Sequence, residues 1–227
     1  MESTTLPPNR RPGAGSGKVS SQQPGAAYTP GMIVEIEAKI RLTEPQSLHD
    51  KLKELDATLD RQVRETNTYF DLADGELKSS DQGLRIRVEQ DRASGKTHTV
   101  ITHKGPRAHG KFKSRSETEL GVQDARGAAQ LLAVLGYQSV LTFEKDRTRY
   151  LIDGCRVEID TLPHLGTFVE IEGDSEEAVE AVRHKVGLGD QPLIRASYIA
   201  MLTTYLQENH ISQTVIKLEP SKKASDA

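Results

Sequence analysis

The stretch Val34-Glu-Ile-Glu-Ala-Lys-Ile-Arg-Leu42 alternates apolar and charged residues without a break. Read as a β-strand, it places Val34, Ile36, Ala38, Ile40 and Leu42 on one face and Glu35, Glu37, Lys39 and Arg41 on the other. Taken alone, such a strand is an ordinary amphipathic element with a wetted charged face. Two carboxylates and an ammonium in one row also suit a metal ion and an anion bound side by side. Recurrence of the pattern decides between these readings.

Six further charged rows follow. Leu84-Arg-Ile-Arg-Val88 aligns Arg85 with Arg87, and the next ends at Thr102-His-Lys104. Lys113-Ser-Arg-Ser-Glu-Thr-Glu119 aligns Arg115, Glu117 and Glu119, and Phe143-Glu-Lys-Asp-Arg147 aligns Lys145 with Arg147. Val157-Glu-Ile-Asp160 aligns Glu158 with Asp160, and Phe168-Val-Glu-Ile-Glu172 aligns Glu170 with Glu172. In most of the seven rows the opposite face is apolar. Exposed cross-strand ion pairs contribute only about 0–1 kcal/mol each, so stability explains seven such rows poorly. A closed or nearly closed barrel accounts for them, with charged faces inside and apolar faces outside against amphipathic helices. That interior is costly if dry and empty. It suits a polyanion with its metal ions: Arg and Lys on phosphate oxygens, carboxylates on Mg²⁺ or Mn²⁺.

Composition sets the remaining bounds. The 227 residues are 28% charged and 35% hydrophobic, with no Trp and four Phe, which allows one domain with a modest core. A net charge of -3 gives no global bias toward nucleic acid or membrane. The single cysteine, Cys155, excludes an intrachain disulfide framework and fits a reducing compartment. It follows a glycine at a turn and reads as a packing residue. No apolar run is long enough to span a bilayer and no signal-peptide core follows Met1; a soluble cytoplasmic protein is expected.

Residues 1–31, rich in Pro, Gly, Ser and Gln, read as a disordered tail, 32–210 as the folded domain and 211–227 as a flexible tail. Gly13-Ala-Gly-Ser-Gly-Lys18 looks like part of a phosphate-binding loop, but Val19 stands where Ser or Thr is needed, position 12 is Pro and no strand precedes it. Strands are expected at 33–42, 66–71, 83–90, 97–104, 112–121, 142–152, 155–160 and 167–173. Helices are expected over Ser47–Leu55, from the N-cap Asp124 to before Gly136, from Asp174 with Glu177 in a capping box to before Gly187, and over Ala196–Glu208. Leu52-Lys-Glu-Leu-Asp-Ala resembles Leu132-Ala-Val-Leu-Gly-Tyr137, and a strand ending in an aromatic follows each, a hint of two related halves.

The order of these rows resembles the CYTH superfamily, the triphosphate tunnel metalloenzymes, over about residues 32–208. Asn67-Thr-Tyr-Phe-Asp71, Asp81-Gln-Gly-Leu-Arg-Ile-Arg87, Thr102-His-Lys-Gly-Pro106, Phe143-Glu-Lys-x-Arg147 and Leu165-Gly-Thr-Phe-Val-Glu-Ile-Glu172 resemble its class IV adenylyl cyclase branch. The resemblance implies an α+β fold, an eight-stranded antiparallel tunnel with flanking helices. It implies metal ligands at Glu35 and Glu37, with one or more of Glu158, Asp160, Glu170 and Glu172. Lys39, Arg85, Arg87, Lys104, Arg115, Lys145 and Arg147 would grip the triphosphate, with Lys39, Lys145 and Arg147 closest to the chemistry. Glu117 and Glu119 would orient these cations or join the metal shell. His98, His103 and His109 read as loop or outward residues, since hard cations prefer oxygen. ATP cyclisation to cyclic AMP and pyrophosphate is the leading expectation. Hydrolysis of thiamine triphosphate, inorganic triphosphate or a nucleoside triphosphate comes next, and a non-enzymatic polyphosphate binder third. A homodimer is the expected assembly.

Overall fold

Eight strands, counted in chain order, close into an antiparallel barrel in which the neighbours run second, third, fourth, fifth, first, eighth, seventh, sixth, and the sixth pairs back to the second. The computed structural model describes residues 33–108 and 112–219, with the side chains of 33–35 and 113 outside the description. The expected tail 1–31, the loop-like run within it and His109 lie outside the described residues. The strands are β1 (Ile33–Leu42), β2 (Thr58–Asp71), β3 (Gly83–Asp91), β4 (Thr97–Lys104), β5 (Lys113–Val122), β6 (Gln138–Ile152), β7 (Cys155–Leu162) and β8 (Gly166–Gly173). The helices are α1 (Pro45–Glu54), α2 (Glu76–Ser79), α3 (Ala125–Val134), α4 (Glu176–Lys185) and α5 (Tyr198–Glu208). A two-residue β9 (Val215–Ile216), in the segment expected to be a loose tail, pairs parallel with β6.

Local chemistry sets these boundaries. Pro45 opens α1, where its missing N–H costs no hydrogen bond. Asp124 caps α3 by accepting from Arg126 N. Ser175, rather than the expected Asp174, caps α4, and its side chain accepts from Ala178 N. Glu176 and Glu177 in the first turn of α4 and Arg183, His184 and Lys185 in its last turn complement the helix dipole. Ser197 caps α5. Asp153 and Gly154 both take positive φ (49° and 77°), the backbone a two-residue hairpin between β6 and β7 requires.

The expected duplication is visible in the topology. β1, α1 and β2 begin at residues 33, 45 and 58; β5, α3 and β6 begin at 113, 125 and 138. This constant offset makes Glu65 the counterpart of Lys145, and Glu35 the counterpart of Arg115. Each pair also sits directly opposite across a strand boundary, Glu65↔Lys145 between β2 and β6, Glu35↔Arg115 between β1 and β5. A pseudo-twofold axis therefore runs through both pairs.

Alternation then sorts the side chains. Outward-facing Ala38, Ile40, Tyr150, Ile152, Val157, Ile159, Val169 and Ile171 pack under Leu48 and Leu52 of α1 and Val179 and Val182 of α4. Cys155 is buried in this layer, as a packing residue should be. Phe70, Leu84 and Ile86 form a second outer layer beneath Leu132 of α3 and Leu77 of α2. Full burial of side chains such as Leu52 and Leu202 stabilises the fold by roughly 1.5–3 kcal/mol each. No helix among the described residues is long and apolar enough to cross a membrane.

Candidate functional site: a charged tunnel closed at one end

Inward faces of the strands carry the charges. One end of the lumen is apolar: Phe143, Leu162 and Phe168, on the inward faces of β6, β7 and β8, pack with Tyr198, Leu202 and Leu206 of α5, and Tyr69 joins them. The Tyr198 ring lies under two ammonium groups, 4.1 Å from Lys39 Nζ and 5.2 Å from Lys145 Nζ.

Above this floor stands an acidic wall. Register places Glu37 opposite Glu172 and Lys39 opposite Glu170, so a compact group forms between β1 and β8. Glu37, Glu170 and Glu172 each present a carboxylate oxygen within 4.8 Å of the others, and all three residues are buried. Such an all-oxygen set suits a hard divalent ion such as Mg²⁺ or Mn²⁺. Lys39 Nζ lies 3.2 Å from Glu37 Oε1 and 3.0 Å from Glu170 Oε1, and donates to the Ala196 carbonyl at 3.1 Å. Burial disfavours that ammonium, but Glu37 and Glu170 outweigh it and hold its pKa above the usual lysine value.

Glu158 and Asp160 stand outside this triplet. Arg147 Nη2 donates to Asp160 at 2.6 Å and to Glu170 at 2.7 Å, and Nη1 pairs closely with Glu158. Lys145 Nζ donates to Asp160 at 3.0 Å, and Arg149 Nε to Glu158 at 2.6 Å. Of the sequence-derived acidic set, Glu37, Glu170 and Glu172 therefore converge, whereas Glu158 and Asp160 are engaged by Arg147, Arg149 and Lys145. Glu35 is placed only by its backbone, opposite Arg115; its side chain lies outside the described residues.

The basic wall comes from β3, β4 and β5. Arg85 Nη2 donates to Thr102 Oγ1 at 3.1 Å, and Thr102 Oγ1 donates to Glu119 at 2.9 Å. Lys104 pairs closely with Glu117. Arg85 Nε and Arg115 Nε are buried donors with no hydrogen-bond acceptor among the described residues. His98 and His103 are exposed, as expected, and His103 meets Gln82 at 3.0 Å.

On β2, three tunnel residues escaped the sequence reading of the site. Glu65 is fully buried beside Arg87 and Lys145. Asn67 donates to Glu65 at 3.2 Å and accepts from Arg87 Nε at 3.1 Å. Tyr69 has its phenol pKa lowered: burial pushes it up, but Arg85, Lys104 and Arg87 outweigh that. All three share one face of β2, which is the signal that could have found them. The alternate positions Thr66 and Thr68 are not apolar, so the row lacks the contrast that marked the others.

Glu158 supplies a pH test. Burial, with Glu172 and Asp160 adding to it against Arg147 and Arg149, pushes its carboxyl from 4.5 up to about 7. The native state keeps that proton between those values while the unfolded chain has released it, so this group's stabilising effect is full at low pH and is lost as pH rises through the window. His49, lowered from 6.5 chiefly by burial, acts in the opposite sense, so the comparison must be with a variant. In chelator, the melting temperature of Glu158→Gln should gain on that of the unaltered protein as pH rises from about 5 to 8. A constant difference would contradict the assignment.

Comparison with known proteins agrees with this geometry. The family model described as CYTH domain matches residues 34–198. A Methanocaldococcus jannaschii protein named as a candidate adenylate cyclase is 25% identical over 179 residues, 74% of this chain and 98% of its own length. Adenylate cyclase CyaB of Aeromonas hydrophila is 29% identical over 174 residues, 72% of this chain and 86% of its own. A solved Pyrococcus horikoshii protein superposes with a TM-score of 0.67 at 28% identity, covering 75% of this chain and 99% of that one. A Hippeastrum protein, described as a candidate adenylyl cyclase with a dominant triphosphatase activity, shares the fold at a TM-score of 0.55 and 20% identity, covering 83% and 99%.

Proposed function

The chain belongs to the CYTH domain family, and from that premise we propose that it is a metal-dependent adenylyl cyclase that converts ATP to cyclic AMP and pyrophosphate inside the tunnel. The observation that carries triphosphate binding is the pair of buried guanidinium donors, Arg85 Nε and Arg115 Nε, with no acceptor among the described residues, in a lumen that also holds the Glu37–Glu170–Glu172 triplet. Buried N–H groups that lack an acceptor are matched by phosphate oxygens. The two curated relatives named for adenylate cyclase activity support the choice of reaction.

In this reading Arg85, Arg87, Lys104 and Arg115 bind the phosphate chain, with Glu117 and Glu119 orienting Lys104 and Arg85. Lys39, Lys145 and Arg147 stabilise charge as the ribose 3′-oxygen attacks the α-phosphorus and pyrophosphate departs. Glu37, Glu170 and Glu172 would hold the divalent ion, with Glu35 beside them on β1. When bound there, such an ion would neutralise phosphate charge and polarise the phosphoryl oxygens. Asp160 and Glu158 hold Lys145, Arg147 and Arg149 in place.

Hydrolysis is the second reading, because the same grip on a triphosphate serves water attacking the terminal phosphorus; the Hippeastrum neighbour is described as having a dominant triphosphatase activity. Purified protein incubated with ATP, and separately with inorganic triphosphate, in Mg²⁺ or Mn²⁺ separates the two by chromatography of products. Cyclic AMP with equimolar pyrophosphate is expected from ATP. Orthophosphate without cyclic AMP would replace cyclisation by hydrolysis.

A further inference from the structure

We propose that Glu65 is a positioning residue of the tunnel, a buried carboxylate that holds Arg87, Lys145 and Arg147 side by side for the phosphate chain. The proposal rests on the triphosphate reading above and concerns a residue outside every charged row of the sequence.

Geometry carries it. Glu65 is 0% exposed and sits on β2, between the strand bearing Arg87 and the strand bearing Lys145 and Arg147. Its Oε2 lies 3.2 Å from Arg87 Nε and 3.3 Å from Lys145 Nζ, and its Oε1 3.6 Å from Arg147 Nε. Asn67 braces the arrangement from the same face of β2, donating to Glu65 and accepting from Arg87. Three cations from two strands thus converge on one anion, and that anion lies on the pseudo-twofold axis opposite its repeat counterpart Lys145.

An anion here works against ground-state binding of a polyanion, since it repels phosphate. It also prevents three like charges from splaying apart in a low-dielectric lumen. The trade is weaker binding for cations fixed in one geometry, and it predicts a signature that plain charge neutralisation does not. Removing a group that orients the reacting parts lowers kcat, whereas removing a repulsive charge leaves affinity unchanged or improves it.

The test uses Glu65→Gln and Glu65→Asp in the full chain. Glutamine keeps the shape and an acceptor for Asn67 and Arg87 but loses the charge; aspartate keeps the charge but withdraws it from the cations. Glu65→Gln is expected to lower kcat roughly 10- to 100-fold on whichever triphosphate the unaltered protein turns over. Its calorimetric Kd for inorganic triphosphate with Mg²⁺ should stay equal or become several-fold tighter. Glu65→Asp should recover part of the lost kcat, and it decides the matter should the glutamine variant fail to fold: its kcat must then lie below the unaltered value at an unchanged melting temperature. A folded Glu65→Gln or Glu65→Asp with unaltered kcat overturns the proposal, as does weaker triphosphate binding with unaltered kcat. Unaltered protein that neither binds nor turns over any triphosphate overturns the functional reading itself, and this proposal with it.

Discussion

Glu170→Gln is expected to reduce divalent-dependent turnover by at least about 100-fold, with little change in the fold. Glu170 belongs to the carboxylate triplet, takes Lys39 Nζ at 3.0 Å, and accepts from Arg147 Nη2 at 2.7 Å. It joins the proposed ion to two of the proposed catalytic cations. Glutamine keeps its size and loses its charge, so both the oxygen donor set for a hard ion and the counter-charge for Lys39 weaken together. Two measurements check it: calorimetric titration of the chelator-treated protein with Mg²⁺ or Mn²⁺, and turnover against metal concentration. Glu54→Gln, on the exposed face of α1, is the control and should leave both unchanged. Undiminished metal affinity in Glu170→Gln would remove the triplet from the metal assignment.

The largest stability effect should come from Arg147→Ala. Its guanidinium is buried and lies against Asp160, Glu158, Glu170 and Glu65 at once. Burial disfavours the charged guanidinium, but these carboxylates outweigh it and push its pKa well above the usual value. Alanine leaves that group of buried carboxylates short of its main counter-ion, a change that typically costs about 3–5 kcal/mol. For a domain of this size the loss corresponds to roughly 6–20 °C in Tm. Arg147→Lys keeps the charge, loses the forked geometry, and should fall between the two. A drop below about 1 kcal/mol for the alanine variant would mean that these carboxylates are well solvated rather than held by Arg147.

Much of this architecture is legible residue by residue. The alternation in Val34–Leu42 and in three of the later rows, Leu84–Val88, Val157–Asp160 and Phe168–Glu172, named which side chains face inward, because side-chain direction in a strand follows from backbone geometry alone. Where that contrast is weak, strand ends were read short. β2 begins at Thr58 and β6 at Gln138, well before the expected 66 and 142, since Thr58–Gln62 and Gln138–Val140 are exposed and carry no inward-outward pattern. The four-residue α2 was missed because it is organised at a distance: Asp71 accepts from Leu77 N and Lys78 N. Glu65 was missed because its row alternates polar with polar.

The sequence alone determined most of the lumen charges, their signs and the apolar faces that wrap them, all local consequences of alternation; Glu65 was the exception. Only the tertiary structure decided which charges meet. Closure of β2 onto β6 brings Glu65 to Lys145 and Arg147, and pairing of β1 with β8 brings Glu37 to Glu170 and Glu172. Docking of α5 sets Tyr198 beneath Lys39. Those outcomes depend on register and ring closure between residues far apart in the chain. Coulombic and ligand-field geometry is decided over a few ångströms, a scale on which the order of residues along a strand carries no information about its neighbour.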